Sequence, residues 1–320
     1  MLNIVRHDRF QNHISESIFT LPICAVLATL LWWWPLGKYR LDYALGWVLC
    51  AICTYIILET NNSNFLIRIR TRMVSCVWLV LFTSLGFLHP ISKASIAASC
   101  LVVSHFLLFK TYQQKNSVGW IFHSFLFLSL GSLVFPQMLA LAVFYYWYLI
   151  VLLRAISWRN FFAGIIGILL PYWFWTAFCA LTDDIGPMVN HILNITEWHP
   201  VSLENYLHLP QCWIASWTVI TLTTLIGGCH FLTTYYNDNI KQRMLLYIYV
   251  TQTIVIQIFL LVQPQHFQTM IALLAVSGSP LIAHYFVLTS SWISNTFFCF
   301  TLLLFVALAV WNLWMPTFTF

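Results

Sequence analysis

Charge is what this sequence has least of. Its 320 residues include 14 Lys and Arg and 9 Asp and Glu, or 7% of the chain, against roughly 25% in a soluble globular domain. So few charged groups do not cover a water-soluble fold of this size, which makes lipid the main solvent. The chain is 61% hydrophobic, and a spanning helix needs about 20 apolar residues. That arithmetic leaves no room for a soluble catalytic domain. Regular alternation of apolar and polar residues is also missing. Barrel strands show it over roughly ten residues, whereas 18–31, 161–181 and 296–310 are continuous apolar runs. The expected fold is all-α, a polytopic transmembrane helix bundle, because a helix pairs its own backbone groups inside lipid.

Chemical signatures are sparse as well. No expected span carries Asp or Glu near its centre, as a proton-coupled pump usually would. Nucleophile motifs, cofactor fingerprints and internal repeats are absent, so no cofactor is expected. The net charge of +5 does not point to nucleic acid, because the basic residues are spread over membrane-flanking loops with no basic patch outside them.

What is present is a succession of apolar segments. Eleven spans are expected (range 10–12), at 18–35, 43–59, 74–88, 94–109, 118–135, 137–153, 161–181, 212–234, 244–263, 268–289 and 293–314. His89-Pro90 and Phe135-Pro136 mark hairpin turns, and the short segments beside them, 74–109 and 118–153, are the ones open to being tilted or re-entrant. Residues 1–17 read as an interfacial helix preceding a single transmembrane domain, 18–320. Trp32, Trp33 and Trp34 follow the first apolar run where a signal peptide would have small residues, so no cleavage is expected there.

Lys and Arg set the orientation. Arg6, Arg9, Arg68, Arg70, Arg72, Lys110, Lys115, Arg154, Arg159, Lys241 and Arg243 fall on one side, and Lys38, Arg40 and Lys93 on the other. The N-terminus is expected in the cytoplasm and the long loop 183–211 outside. That loop holds Asp183, Asp184, Glu197 and Glu204 with His191, His199 and His208. The histidine spacing matches no compact zinc signature, so no metal is expected.

The candidate residues are few. Cys50 and Cys53 form a CxxC in mid-span, where small apolar filler is the expected role. Cys179 and Cys212 flank the outer loop and are a possible disulfide in an oxidising compartment. His105, His123, His230, His284, Gln252 and Gln257 lie at membrane depth and are functional suspects on that ground. Glu59 is expected to pair with Arg68 or Arg154. Arg68, Arg70, Arg72, Arg154 and Arg159 are the densest cationic set and suit a lipid phosphate. Ser277-Gly278-Ser279-Pro280 has the composition of a broken transporter helix.

Asn64-Phe65-Leu66-Ile67-Arg68 running on to Arg72, Ser129-Leu130-Gly131-Ser132-Leu133 with Pro136, and Leu153-Arg154 through Trp158-Arg159 to Leu170-Pro171-Tyr172 resemble an uncharacterised family of inner-membrane proteins from Bacteroidota bacteria. The resemblance covers roughly 55–180. It implies a bacterial inner-membrane location and brings no activity.

The expected function is therefore a non-catalytic scaffold or accessory component of cell-envelope biogenesis, with membrane lipids, an anionic or polyprenyl-phosphate lipid among them, or a membrane-protein partner as its expected contacts. The alternative is an outer-face transferase acting on a lipid-linked saccharide, with Asp42, Asp183 or Asp184 as base. A transporter centred on 277–280 is the third expectation.

Overall fold

In the computed structural model, residues 9–34, 40–196, 206 and 209–314 are described. Arg6, Lys38, Glu197, His199, Glu204 and His208 lie outside them. The described residues form helices and no strand. They are α1 (Phe10–Glu16), α2 (Thr20–Trp33), α3 (Leu41–Asn64), α4 (Met73–Ser84), α5 (Lys93–Phe109), α6 (Val118–Val134), α7 (Leu141–Trp147), α8 (Trp158–Leu181), α9 (Gly186–Thr196), α10 (Gln211–Thr234), α11 (Ile240–Val262), α12 (Phe267–Leu288) and α13 (Trp292–Trp314).

Six of these, α3, α8, α10, α11, α12 and α13, are long and apolar enough to cross a membrane. The eleven full spans expected from the sequence are thus not all present as single long helices. α4 has 12 residues and reaches only about 18 Å, short of a hydrocarbon core of about 30 Å. α5 and α6 have 17 residues each. The segment expected at 137–153 is a composite: a 3-10 turn at Pro136–Ala140, α7, and a π turn at Tyr148–Leu152. In that π turn Leu153 N donates to the Tyr148 carbonyl, 2.8 Å away and five residues back. α1, within the N-terminal segment expected to be interfacial, meets α2 at a bend of 93°.

α12 is the axis of the bundle. Of its 22 residues, 19 are buried, and α4, α5, α10 and α11 pack around it. No residue of 267–288 is Asp, Glu, Lys or Arg, and small residues let neighbours close in. A Cβ on Gly227 of α10 would stand 2.5 Å from the Leu281 carbonyl oxygen, and one on Gly278 would overlap the Thr224 side chain. The helix runs unbroken through Ser277-Gly278-Ser279-Pro280. Ser277 and Ser279 bond back to the Leu274 and Val276 carbonyls, so this segment exposes no backbone.

α3 and α5 run side by side in one direction: Ile91 N donates to the Asp42 carbonyl at the start, and Cys53 Sγ to Ser99 Oγ further along. Their far ends bring the turns 65–72 and 110–117 to the same end of the bundle. There Gln242 Nε2 donates to the Phe65 carbonyl, Thr71 Oγ1 to the Ser15 carbonyl and Arg72 Nη1 to the Ile18 carbonyl. Ser157 Oγ donates to the Lys115 carbonyl. This is the basic end of the molecule.

α1 is amphipathic in the inverted sense. Gln11, Asn12 and Ser15 are buried and Phe10 is exposed. Gln11 Nε2 donates to the Phe286 carbonyl at 2.5 Å and to Thr289 Oγ1 at 3.1 Å, at the end of α12 where helical carbonyls lack helical donors.

Candidate functional site: polar clusters inside an apolar bundle

The six polar suspects at membrane depth sort into distinct places. Two of them meet in the core, where His105 Nε2 of α5 stands 2.5 Å from Gln252 Oε1 of α11. Tyr145 and Tyr249 flank the His105 ring, with centroids 6.0 and 5.3 Å away. Below them α5 and α6 are stitched by Ser104 Oγ donating to the Ser124 carbonyl and Ser124 Oγ to the Ser104 carbonyl. His105 Nδ1, Gln252 Nε2 and Tyr145 OH are buried with no partner. Gln257 is engaged, accepting from Trp217 Nε1 and donating to Thr221 Oγ1. His123 is exposed on the apolar surface.

His230 and His284 meet at the basic end, with ring centroids 5.4 Å apart. The residue that pairs with His284 was not singled out in the sequence. Asp238, in the turn between α10 and α11, places Oδ2 at 3.0 Å from His284 Nε2, and both side chains are buried. The turn is itself held: Asp238 N donates to the Tyr235 carbonyl, Arg243 Nε to the Asp238 carbonyl, and Asn239 caps α11 with Gln242. Asp238 Oδ1, His284 Nδ1 and His230 Nδ1 have no partner. Arg68 is close enough to His230 to act on it electrostatically. Asp238 escaped sequence reading because it sits in a polar turn between helices; only the fold drives that turn against α12.

The arginine set is divided. Arg68, Arg70 and Arg72 lie on the turn that meets α1 and Gln242. Arg154 and Arg159 lie on the turn that meets Lys115. Arg68, Arg70, Arg154 and Arg159 are exposed at the basic end. Glu59, expected to pair with Arg68 or Arg154, is exposed and forms no ion pair with either; its carbonyl accepts from Ser63 Oγ.

At the opposite end two of the three candidate acids, Asp42 and Asp184, serve local structure. Asp42 pairs with Arg40 at 2.9 Å, largely exposed. Asp184 Oδ1 accepts from Gly186 N at 3.1 Å and so opens α9. Asp183 is exposed with φ 52°. His191 is the loop residue the fold draws in. Its Nε2 stands 3.3 Å from Tyr172 OH, which stands 2.8 Å from Ser132 Oγ, and its ring packs edge-on to Trp175. Burial pushes the His191 imidazole below its ordinary range.

Cys179 and Cys212 are both free thiols, so the expected bridge across the outer loop is not formed in the structure. Cys50 and Cys53 are free and buried, as filler positions would be. Among the described residues no three His, Cys, Asp or Glu side chains are placed to hold a metal ion.

Comparison with protein-family models, characterised proteins and solved structures finds no match to this chain.

Proposed function

We propose that this protein is a multi-pass component of a bacterial inner membrane, of the Bacteroidota family it resembles, acting as a non-catalytic scaffold or accessory subunit of envelope biogenesis. The chain makes eleven passes, five of them on short or composite helices. The N-terminus and the basic end face the cytoplasm, and the exposed arginines contact anionic headgroups.

The observation that carries this reading is the employment of the outer acids. A general base needs a carboxylate free to take a proton from substrate. Asp42 is neutralised by Arg40, and Asp184 holds the first turn of α9. Of the transferase alternative's three candidate bases, Asp42 and Asp184 are thus engaged and Asp183 stays exposed, while the 277–280 segment of the transporter alternative is part of the continuous α12.

Copurification tests the reading. The protein extracted in mild detergent is expected to bring down a stoichiometric membrane-protein partner. Recovery of a polyprenyl-linked saccharide without any partner protein would replace the scaffold with an enzyme. Reporter fusions after Arg72, Lys115, Arg159 and Arg243 are expected to read cytoplasmic, and fusions at Glu197 and after Trp314 periplasmic. A cytoplasmic signal at Glu197 would invert the topology.

A further inference from the structure

Cys24 of α2 and Cys76 of α4 drew no attention in the sequence, yet the fold sets them together. α2 packs along α4, and the two thiols are hydrogen-bonded side chain to side chain. Neither is in a disulfide. Both line an opening on the side of the bundle, where residues of α2, α4 and α13 face one another. Cys24 is half-buried there, and Cys76 is buried at 3% exposure.

This pair differs from the thiols that fill space elsewhere in the bundle. Cys50 and Cys53 are both buried on α3, and Cys53 donates to Ser99 Oγ. Cys24, by contrast, is partly accessible, touches a second thiol and has a cation nearby. Arg72 stands one turn before Cys76, about 6 Å along α4, and acts on its sulfur electrostatically. Arg72 Nη1 donates to the Ile18 carbonyl, just before α2, which keeps the guanidinium at this end of both helices. Among the described residues that line the opening there is no carboxylate to oppose it. A nearby cation favours thiolate, and thiolate is the reactive form. An accessible thiol with a resolving thiol beside it is the arrangement of peroxide-sensing cysteines.

We propose that Cys24 and Cys76 are a peroxide-sensitive dithiol, which hydrogen peroxide converts into a disulfide fastening α2 to α4. The Cys24 sulfur attacks one peroxide oxygen, and the O–O bond breaks. Cys24 becomes a sulfenic acid, and the departing hydroxide takes up the thiol proton and leaves as water. The Cys76 sulfur then attacks the sulfenic sulfur and displaces its hydroxide, which leaves as a second water with the Cys76 proton. Two electrons pass from the sulfurs to the peroxide, giving one disulfide and two waters. α2 follows the bend from α1, whose Gln11 holds the end of α12. The disulfide therefore pins the α1–α2 segment to the bundle at its basic end.

The reduced full-length protein, treated in detergent with hydrogen peroxide, tests this by alkylation and peptide mapping. One disulfide joining the Cys24 and Cys76 peptides is expected, while the exposed Cys229 still labels with maleimide. Cys76→Ser should stop at a sulfenic acid on Cys24, trapped by dimedone. Arg72→Gln should slow closure of the bond about tenfold, the effect of one unit in thiol acidity, and Arg72→Lys should restore the rate. Peroxide should raise the thermal midpoint of the unaltered protein and leave that of Cys24→Ser where it was. Consumption of Cys229 ahead of the pair, or a Cys50–Cys53 bond in place of Cys24–Cys76, would overturn the dithiol. Both results are read on the unaltered protein, so a variant that fails to fold leaves the test intact. Neither bears on copurification of a protein partner, so the two proposals fail separately.

Discussion

Asp238 and His284, 46 residues apart in sequence, are bonded side chain to side chain with Oδ2 and Nε2 3.0 Å apart and almost no exposure. The pair ties the α10–α11 turn to the last turns of α12, a helix with 19 of its 22 residues buried. It is a latch on the basic end, and its remaining polar atoms, Asp238 Oδ1 and His284 Nδ1, have no partner.

Removing either half leaves the other buried and unpaired, which typically costs about 3–5 kcal/mol for a charged pair. Asp238→Ala and His284→Ala are each expected to lower the thermal midpoint in detergent sharply. The double variant should lose less than the two singles added together, because it strands no partner. Strict additivity in this cycle would show that the two side chains are not coupled.

Neighbouring glycines on α10 should respond in opposite ways. A Cβ at Gly227 meets the α12 backbone, while one at Gly228 meets nothing within 4 Å. Gly227→Leu is expected to reduce membrane abundance by forcing α10 off α12. Gly228→Ala should be neutral or stabilise by up to about 1 kcal/mol through helix propensity. Thermal melts of the two purified variants check the contrast.

Asp42→Asn, Asp183→Asn and Asp184→Asn are all expected to complement a deletion strain at normal protein level. Asn keeps the short polar side chain that suits the left-handed backbone at Asp183 and still offers an oxygen to Gly186 N. Surface changes of this kind usually shift stability by no more than about 0.5 kcal/mol. Gly167→Leu, by contrast, should lower abundance, since a Cβ there would lie 2.5 Å from the Phe122 carbonyl oxygen. Failure of one Asn variant at full abundance would restore the transferase reading.

His89 makes stability fall in acid. Its ring is stacked on Trp32 with centroids 3.9 Å apart, and Nε2 stands 3.0 Å from the Thr83 carbonyl oxygen. Burial holds its pKa down at about 4, against an ordinary value of 6.5. The unfolded chain therefore takes up a proton that the folded one refuses. The contribution is present in full above pH 6.5 and is lost as pH falls to about 4, in total up to roughly 3 kcal/mol. His89→Gln is expected to flatten the pH dependence of the thermal midpoint across this window. An unchanged slope would show that His89 is not its source.

Composition and hydrophobic runs alone determined the helical class, the boundaries of the six long helices to within a few residues, and the turns at His89-Pro90 and Phe135-Pro136. Those features are local: an apolar run needs only its own backbone to satisfy its hydrogen bonds in lipid. Tertiary structure decided the rest. Whether 73–84 is a full span depends on what covers it. Its 12 residues are tolerable because α2, α3, α12 and α13 surround them and 11 of the 12 are buried. Pro280 does not break α12, and Ser277 to Ser279 serve close packing, because α10 presses a threonine and a glycine into that face. Asp42 and Asp184 were legible as loop carboxylates, yet their roles were set by Arg40 and Gly186 N. Asp238 was not legible as a site residue at all. Its partner His284 comes from a distant helix, and pairing across that distance is fixed by how helices pack, which no local pattern encodes.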